Sequence, residues 1–265
     1  MTFRKKLVML GTIGIVGLSL AACSSGGGTT TSDTTSATPG SISSDDTSAA
    51  ATLTFNPDNL LAGTASPSFL SGEAGSVSVV AQGTLETTDT GSILPIAFQN
   101  NTDSAIASID WTATATSGGS EVATGQSEGT NPAQLQPGEV GLAFISFGAD
   151  TATPGPDATY TFSANTSPAD TSSLNTGSLT VTTADASGGS ITGTAVNNTG
   201  ASLTGPVAVT VYCFSADPED LLQSAHMGYV DQTDDIAPDG NATFTVDLAG
   251  DTCATYLVGA SGFFA

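Results

Sequence analysis

Positive charge is nearly missing from this chain. Its three basic residues are Arg4, Lys5 and Lys6, and it has one histidine, His226. All 25 aspartates and glutamates lie beyond residue 22, where no Lys or Arg remains to pair with them. These carboxylates must therefore be solvated, cap backbone N–H groups or hold cations. Nucleic-acid binding is excluded, because it needs a basic footprint to displace counterions. Charge-driven docking on an anionic lipid surface is disfavoured for the same reason. The plainest account of such acidity is solubility and mutual repulsion in a crowded setting. Helical signals are also scarce. The best are Asp217-Pro218-Glu219-Asp220-Leu221-Leu222, where Asp suits the cap and Pro the first helical position, and a turn at Pro57 to Leu61. Cysteine occurs three times and tryptophan once, at Trp111, the best candidate for a large core side chain.

What is present begins with a leader. Arg4, Lys5 and Lys6 precede an apolar stretch from Leu7 to about Leu20, followed by Leu20-Ala21-Ala22-Cys23. The apolar stretch falls short of the ~20 residues that span a bilayer, so the pattern predicts a secretory signal over 1–22. Leu-Ala-Ala-Cys resembles the lipobox of bacterial lipoproteins. That resemblance implies that Cys23 carries a diacylglycerol thioether, begins the mature chain and holds it to the membrane. Residues 24–50 are almost entirely Ser, Thr, Gly, Ala and Asp. Such a segment buries too little apolar surface to offset its ordering entropy, and 23–50 is expected to be a disordered tether.

From about Ala51 the pattern changes to short alternating runs rich in Val, Ile, Thr, Phe and Tyr. They include Val77 to Val79, Ile93 to Phe98, Ile109 to Thr114, Val140 to Phe147, Thr159 to Phe162, Leu179 to Thr182, Val207 to Tyr212, Phe244 to Leu248 and Thr255 to Val258. A period of two broken by Gly, Pro, Asn and Asp predicts many half-buried strands.

One phrase is written twice: Gly91-Ser92-Ile93 leads to Asn100-Asn101-Thr102, and Gly189-Ser190-Ile191 leads to Asn197-Asn198-Thr199. Three later landmarks follow each copy in the same order. Pro137 is matched by Pro238, Phe144 by Phe244 and Tyr160 by Tyr256, so the four offsets are 97, 101, 100 and 96 residues. A period near 100 is too long for a solenoid and fits one small β domain, so two copies are expected, over 51–170 and 171–265. Asn-Asn-Thr is turn chemistry, as is an apolar residue followed shortly by Pro-Gly or Pro-Asp-Gly. This set of landmarks resembles the FxLYD family and its immunoglobulin-like relatives on bacterial surface lipoproteins, over about 70 residues of each copy. The family's name motif is absent; the nearest stretch is Val211-Tyr212-Cys213-Phe214. The resemblance implies two tandem immunoglobulin-like β-sandwiches and no catalytic residue.

With Cys23 assigned to lipid, Cys213 and Cys253 remain, both in the second copy. Outside the cytoplasm a disulfide is the favoured outcome, over free or metal-binding thiols. Gly125-Gln126-Ser127-Glu128-Gly129 matches the G-x-S-x-G of serine hydrolases, but no helix signal follows it, and a mobile Gly/Ser-rich hairpin loop is the better expectation. Asp231, Asp234 and Asp235 could offer oxygen ligands to Ca²⁺. They lack the Gly and closing Glu of an EF-hand, and solvated loop carboxylates are preferred. Asn100, Asn165, Asn197 and Asn241 sit in N-x-[ST] sequons, a cheap match in so Thr-rich a chain.

These readings lead to an expectation of a lipid-anchored protein on the extracytoplasmic face of a bacterial cell envelope. Its two β-sandwich modules would serve binding, adhesion or spacing rather than catalysis, with no obligatory cofactor and a surface protein or glycan as partner. The alternative is a solute- or calcium-binding lipoprotein accessory to a transporter or envelope enzyme. A cleft between the copies lined by polar and aromatic groups would favour that alternative.

Overall fold

The computed structural model describes residues 53–88, 91–148, 152–216 and 222–265. The expected signal peptide, Cys23 with the expected tether, and residues 217–221 of the expected helical turn lie outside the described residues.

Described residues form fifteen strands. Two short ones, β1 (Thr54–Phe55) and β2 (Ala62–Gly63), come first. They are followed by β3 (Val77–Gln82), β4 (Glu86–Thr88), β5 (Gly91–Asn100), β6 (Ile106–Ser117), β7 (Ser120–Asn131), β8 (Glu139–Gly148) and β9 (Thr159–Pro168). The second half holds β10 (Thr176–Ser187), β11 (Ser190–Val196), β12 (Leu203–Phe214), β13 (Leu222–Tyr229), β14 (Asn241–Asp247) and β15 (Thr255–Phe264). Each alternating run predicted above falls in one of these strands, as the period-two pattern requires, except that Leu248 lies one residue past the end of β14.

The strands make two curled antiparallel sheets, one per sequence copy. The first runs β3-β5-β8-β7-β6-β9 and the second β13-β12-β15-β10-β11-β14. If β10, β11, β12, β13, β14 and β15 are put in place of β3, β5, β6, β7, β8 and β9, the two circular orders are identical. The difference is where each circle opens. In the first sheet the gap falls between β3 and β9, while β7 bridges the curl by pairing with β6 up to Gln126 and with β8 from Gln126 on, across a bulge between Ser127 and Thr130. In the second, β10 is the bridge: Thr176 to Leu179 pair with β15 and Thr180 to Ser187 with β11. There the gap lies between β13 and β14, narrowed by a single bridge from Val230 to Phe244. Bulges of this kind bend a strand and let it turn a corner.

Matching hairpins close β6–β7 and β10–β11. Both read Ser-Gly-Gly-Ser, with Gly118 and Gly119 at φ +59° and +80° and Gly188 and Gly189 at +61° and +88°. A two-residue turn with positive φ at both positions follows the twist of the flanking strands.

The repeated Asn-Asn-Thr is now explained. Asn100 is fully buried and donates through Nδ2 to Ser104 O (2.8 Å) and Leu135 O (3.1 Å), while its Oδ1 accepts from Thr102 N (3.2 Å) and Oγ1 (2.7 Å). Asn197, equally buried, donates to Ala201 O (2.8 Å), Ile236 O (2.7 Å) and Ala237 O (3.2 Å), and accepts from Thr199 N (3.1 Å) and Oγ1 (2.7 Å). Each Asn ties the end of one strand to the Pro-containing turn a further 35–40 residues along. A buried amide with all its groups paired fixes that crossing, and neither Asn can accept a glycan without unfolding the turn.

Each sheet curls around its own core. Trp111, Phe98, Leu94 and Ile145 fill the first, and Val209, Val211, Val258 and Phe244 the second. Trp111 stacks at a tilt on Phe98, ring centroids 5.2 Å apart, as a large core residue should. A third core joins the two sheets. It sets Ala97, Leu142 and Phe144 on the outer face of β5 and β8 against Tyr212, Phe214 and Leu257 of β12 and β15, and Leu61 of the leading segment fills its margin. This accounts for the unbroken burial of β5 from Leu94 to Asn100 and of β12 from Val209 to Phe214, since both faces of these strands are covered. The leading segment binds both sheets: β1 pairs in parallel with β8, and β2 pairs with β15 of the second sheet.

Candidate functional site

Two places gather chemistry. The larger is a cleft of about 470 Å³ where the second sheet meets the start of β6 and the end of β7. Its walls bring Asp110, Ser127, Glu128 and Thr130 of the first sheet to Met227, Tyr229 and Phe263 of the second, with Leu174 of the connecting segment beside them. Of the five exposed large apolar side chains among the described residues, four line this cleft: Leu174, Met227, Tyr229 and Phe263. The volume lies within the ~300–1,000 Å³ of ordinary small-ligand sites. Ser108, on the same wall, is held at φ +44°, which a serine adopts only under constraint from its surroundings.

Ser127 sits in this cleft, but not as a nucleophile elbow. Residues 120–131 are a twelve-residue strand rather than the mobile loop expected from their Gly and Ser content. Packing overrides composition here. A Cβ on Gly125 would lie 2.7–2.8 Å from the Ile145 and Phe147 side chains and Ser146 O, so only glycine lets β7 lie against β8. The Ser127 hydroxyl accepts the backbone N–H of Trp111 at 2.9 Å.

The second place is smaller. Glu86 of β4, His226 of β13 and Asp251 of the β14–β15 connection point their polar atoms within 4.8 Å of one another. His226 Nε2 is 3.4 Å from Asp251 Oδ2 and 3.4 Å from Ser224 Oγ. Burial, reinforced by a hydrogen bond to Asp251 and by its negative charge, raises the Glu86 carboxyl from 4.5 to about 7. Glu86 Oε2 is shut off from solvent without a hydrogen-bond partner. Burial lowers the His226 pKa against the opposing pull of Asp251 and Asp247. Sequence reasoning missed this cluster, because its members are far apart in the chain and Glu86 belongs to the other copy. The one available signal was that the sole histidine lies in so acidic a chain.

Cys213, at the end of β12, and Cys253 are joined by a disulfide with Cα atoms 5.0 Å apart, as the secretory reading anticipates. His226 lies within 4.8 Å of both sulfurs. Asp231, Asp234 and Asp235 are exposed after β13, and Asp231 Oδ2 accepts the Thr243 hydroxyl at 2.8 Å. None of the three belongs to a convergent group of three possible metal ligands among the described residues. Elsewhere, burial raises Glu139, although the Gln136 N–H donates to its carboxylate at 2.6 Å. Tyr212 links the sheets: its hydroxyl donates to Leu142 O (3.1 Å) and accepts from Asn131 Nδ2 (3.2 Å), and complete burial pushes its pKa up.

No protein-family model matches the chain, and no curated protein matches it either.

Proposed function

We propose that this is a lipid-anchored protein of the bacterial cell envelope whose paired β domains act as a non-enzymatic binding module for a neutral glycan held in the cleft between them. The observation that carries this reading is the gathering of Tyr229, Phe263, Met227 and Leu174, all exposed, around the carboxylates of Asp110 and Glu128. Rings offer flat apolar faces to the C–H side of a sugar, and carboxylates and hydroxyls accept and donate to its hydroxyl groups. A cleft with acidic walls and no basic residue repels phosphate and carboxylate ligands. The anchor at Cys23 and the envelope location rest on the leader sequence alone. The kinship to immunoglobulin-like sandwiches is likewise our reading. It is supported by the shared circular strand order and by single strands, β7 and β10, that pass from one side of each curl to the other. A side-by-side pair joined by a third core fits a binding cleft better than an extended spacer.

The test uses the mature chain with Cys23→Ser, so that it is soluble without acylation. It should co-sediment with purified envelope polysaccharide, and the double variant Tyr229→Ala/Phe263→Ala should lose most of that binding while keeping its melting temperature. Equal retention of native and variant protein, or binding only to envelope proteins, defeats the glycan reading.

A further inference from the structure

We propose that Glu86, His226 and Asp251 form a binding site for a divalent transition metal, zinc being the ion that their donors suit best, and that the bound metal fastens the first sheet domain to the second. This goes beyond the glycan cleft and uses none of its residues. The three donors come from three segments, β4 of the first domain and β13 and the β14–β15 connection of the second, yet their ligand atoms converge within 4.8 Å. The 3.4 Å between His226 Nε2 and Asp251 Oδ2 is too long for a charge-assisted hydrogen bond, which runs about 2.7–2.9 Å. It matches the edge of a tetrahedral zinc site, about 3.3 Å when metal–ligand bonds are about 2.0–2.1 Å.

Two further observations point to a cation as the ligand. Glu86 Oε2 is buried and receives no hydrogen bond, so one ligand atom is desolvated with nothing to compensate it. No Lys or Arg exists beyond residue 6 to supply the charge that two carboxylates at a domain junction call for. A donor set that includes an imidazole nitrogen selects zinc and its neighbours over Ca²⁺ and Mg²⁺, ions that prefer oxygen throughout. The disulfide sulfurs of Cys213 and Cys253 are near His226, but as a disulfide they are not thiolate ligands, so the oxidised protein offers three ligands and leaves the fourth position to water.

The experiment takes the mature Cys23→Ser chain with its disulfide intact, strips it with EDTA and titrates Zn²⁺ by calorimetry. Ca²⁺ and Mg²⁺ at matched ionic strength serve as comparisons, and Co²⁺ reports geometry by its visible absorption. We expect one zinc per chain and a tetrahedral cobalt spectrum. Asp251→Asn, at a side chain 45% exposed, should weaken zinc about tenfold or more, and Glu86→Gln should do the same. His226→Gln should abolish the cobalt band, while the loop control Asp231→Asn changes nothing. Zinc affinity unaltered in Asp251→Asn, or zinc binding no tighter than calcium in the native chain, overturns the proposal. Should His226→Gln fail to fold, Asp251→Asn decides alone.

Discussion

Replacing Asn197 with alanine is the sharpest test of how this fold is held. The amide's two N–H groups are shared among the carbonyls of Ala201, Ile236 and Ala237, and its oxygen takes the Thr199 amide and hydroxyl. These five contacts, three of them shared between two N–H groups and so worth about four full bonds, depend on one side chain with no exposure to solvent. At about 1 kcal/mol net for each neutral bond the loss sums to about 4 kcal/mol. The turn beside Ala201 is only half-buried, so water recovers part of that and about 3 kcal/mol is expected. For a folded unit of this size the melting temperature should drop by roughly 6–12 °C. Asn100→Ala should cost a similar amount, since its network matches bond for bond at the Thr102 end. Asn197→Asp is the companion variant. Burial raises the new carboxyl's pKa above that of an unfolded aspartate, so the variant should be worse at pH 7 and recover part of its loss as the pH falls through that raised pKa toward about 4. Urea unfolding followed by far-UV circular dichroism measures all three. A loss below 1 kcal/mol for both alanine variants would mean that the repeated phrase does not pin the strand crossings.

Other outcomes follow from the same geometry. Tyr212→Ala removes a fully buried ring from the core between the sheets and should cost about 3–5 kcal/mol. It should also separate the unfolding of Trp111, seen by fluorescence in the first domain, from the circular dichroism of the whole, whereas the two transitions coincide in the native protein. Reducing the Cys213–Cys253 bridge reopens a 40-residue separation and should lower stability by about 4 kcal/mol in the chain-entropy description, read as a shift in urea midpoint; an unchanged midpoint would contradict it. With chelator present, Glu86 sets a pH dependence. Its folded pKa of about 7 exceeds the ordinary 4.5, so its extra stability is complete below pH 4.5 and is gone once the pH has risen past about 7. The melting temperature should fall between pH 5 and 7.5, and Glu86→Gln should flatten that slope; a temperature that climbs across the range refutes the assignment.

Much of the architecture was legible before any coordinate. The alternating runs became strands because a period of two can bury only one face of a sheet. The two copies share a strand order because the same Asn and Pro landmarks close the same crossings. The strand β7 was misread, because Ser, Thr and Gly carry weak strand propensity and only the walls formed by Ile145 and Phe147 make glycine necessary at 125.

The chain by itself thus determined local structure, repeat length, the cysteine pair and a surface without positive charge, all of which depend on neighbours in sequence or on composition. Tertiary structure alone decided that the domains lie side by side on a third core, where Tyr212 reaches Leu142, and that Glu86 meets His226 and Asp251. Such contacts join residues 70 to 165 positions apart. No local period encodes which outer faces will meet, because that choice depends on the shape and apolar area that each sheet presents only after it has curled.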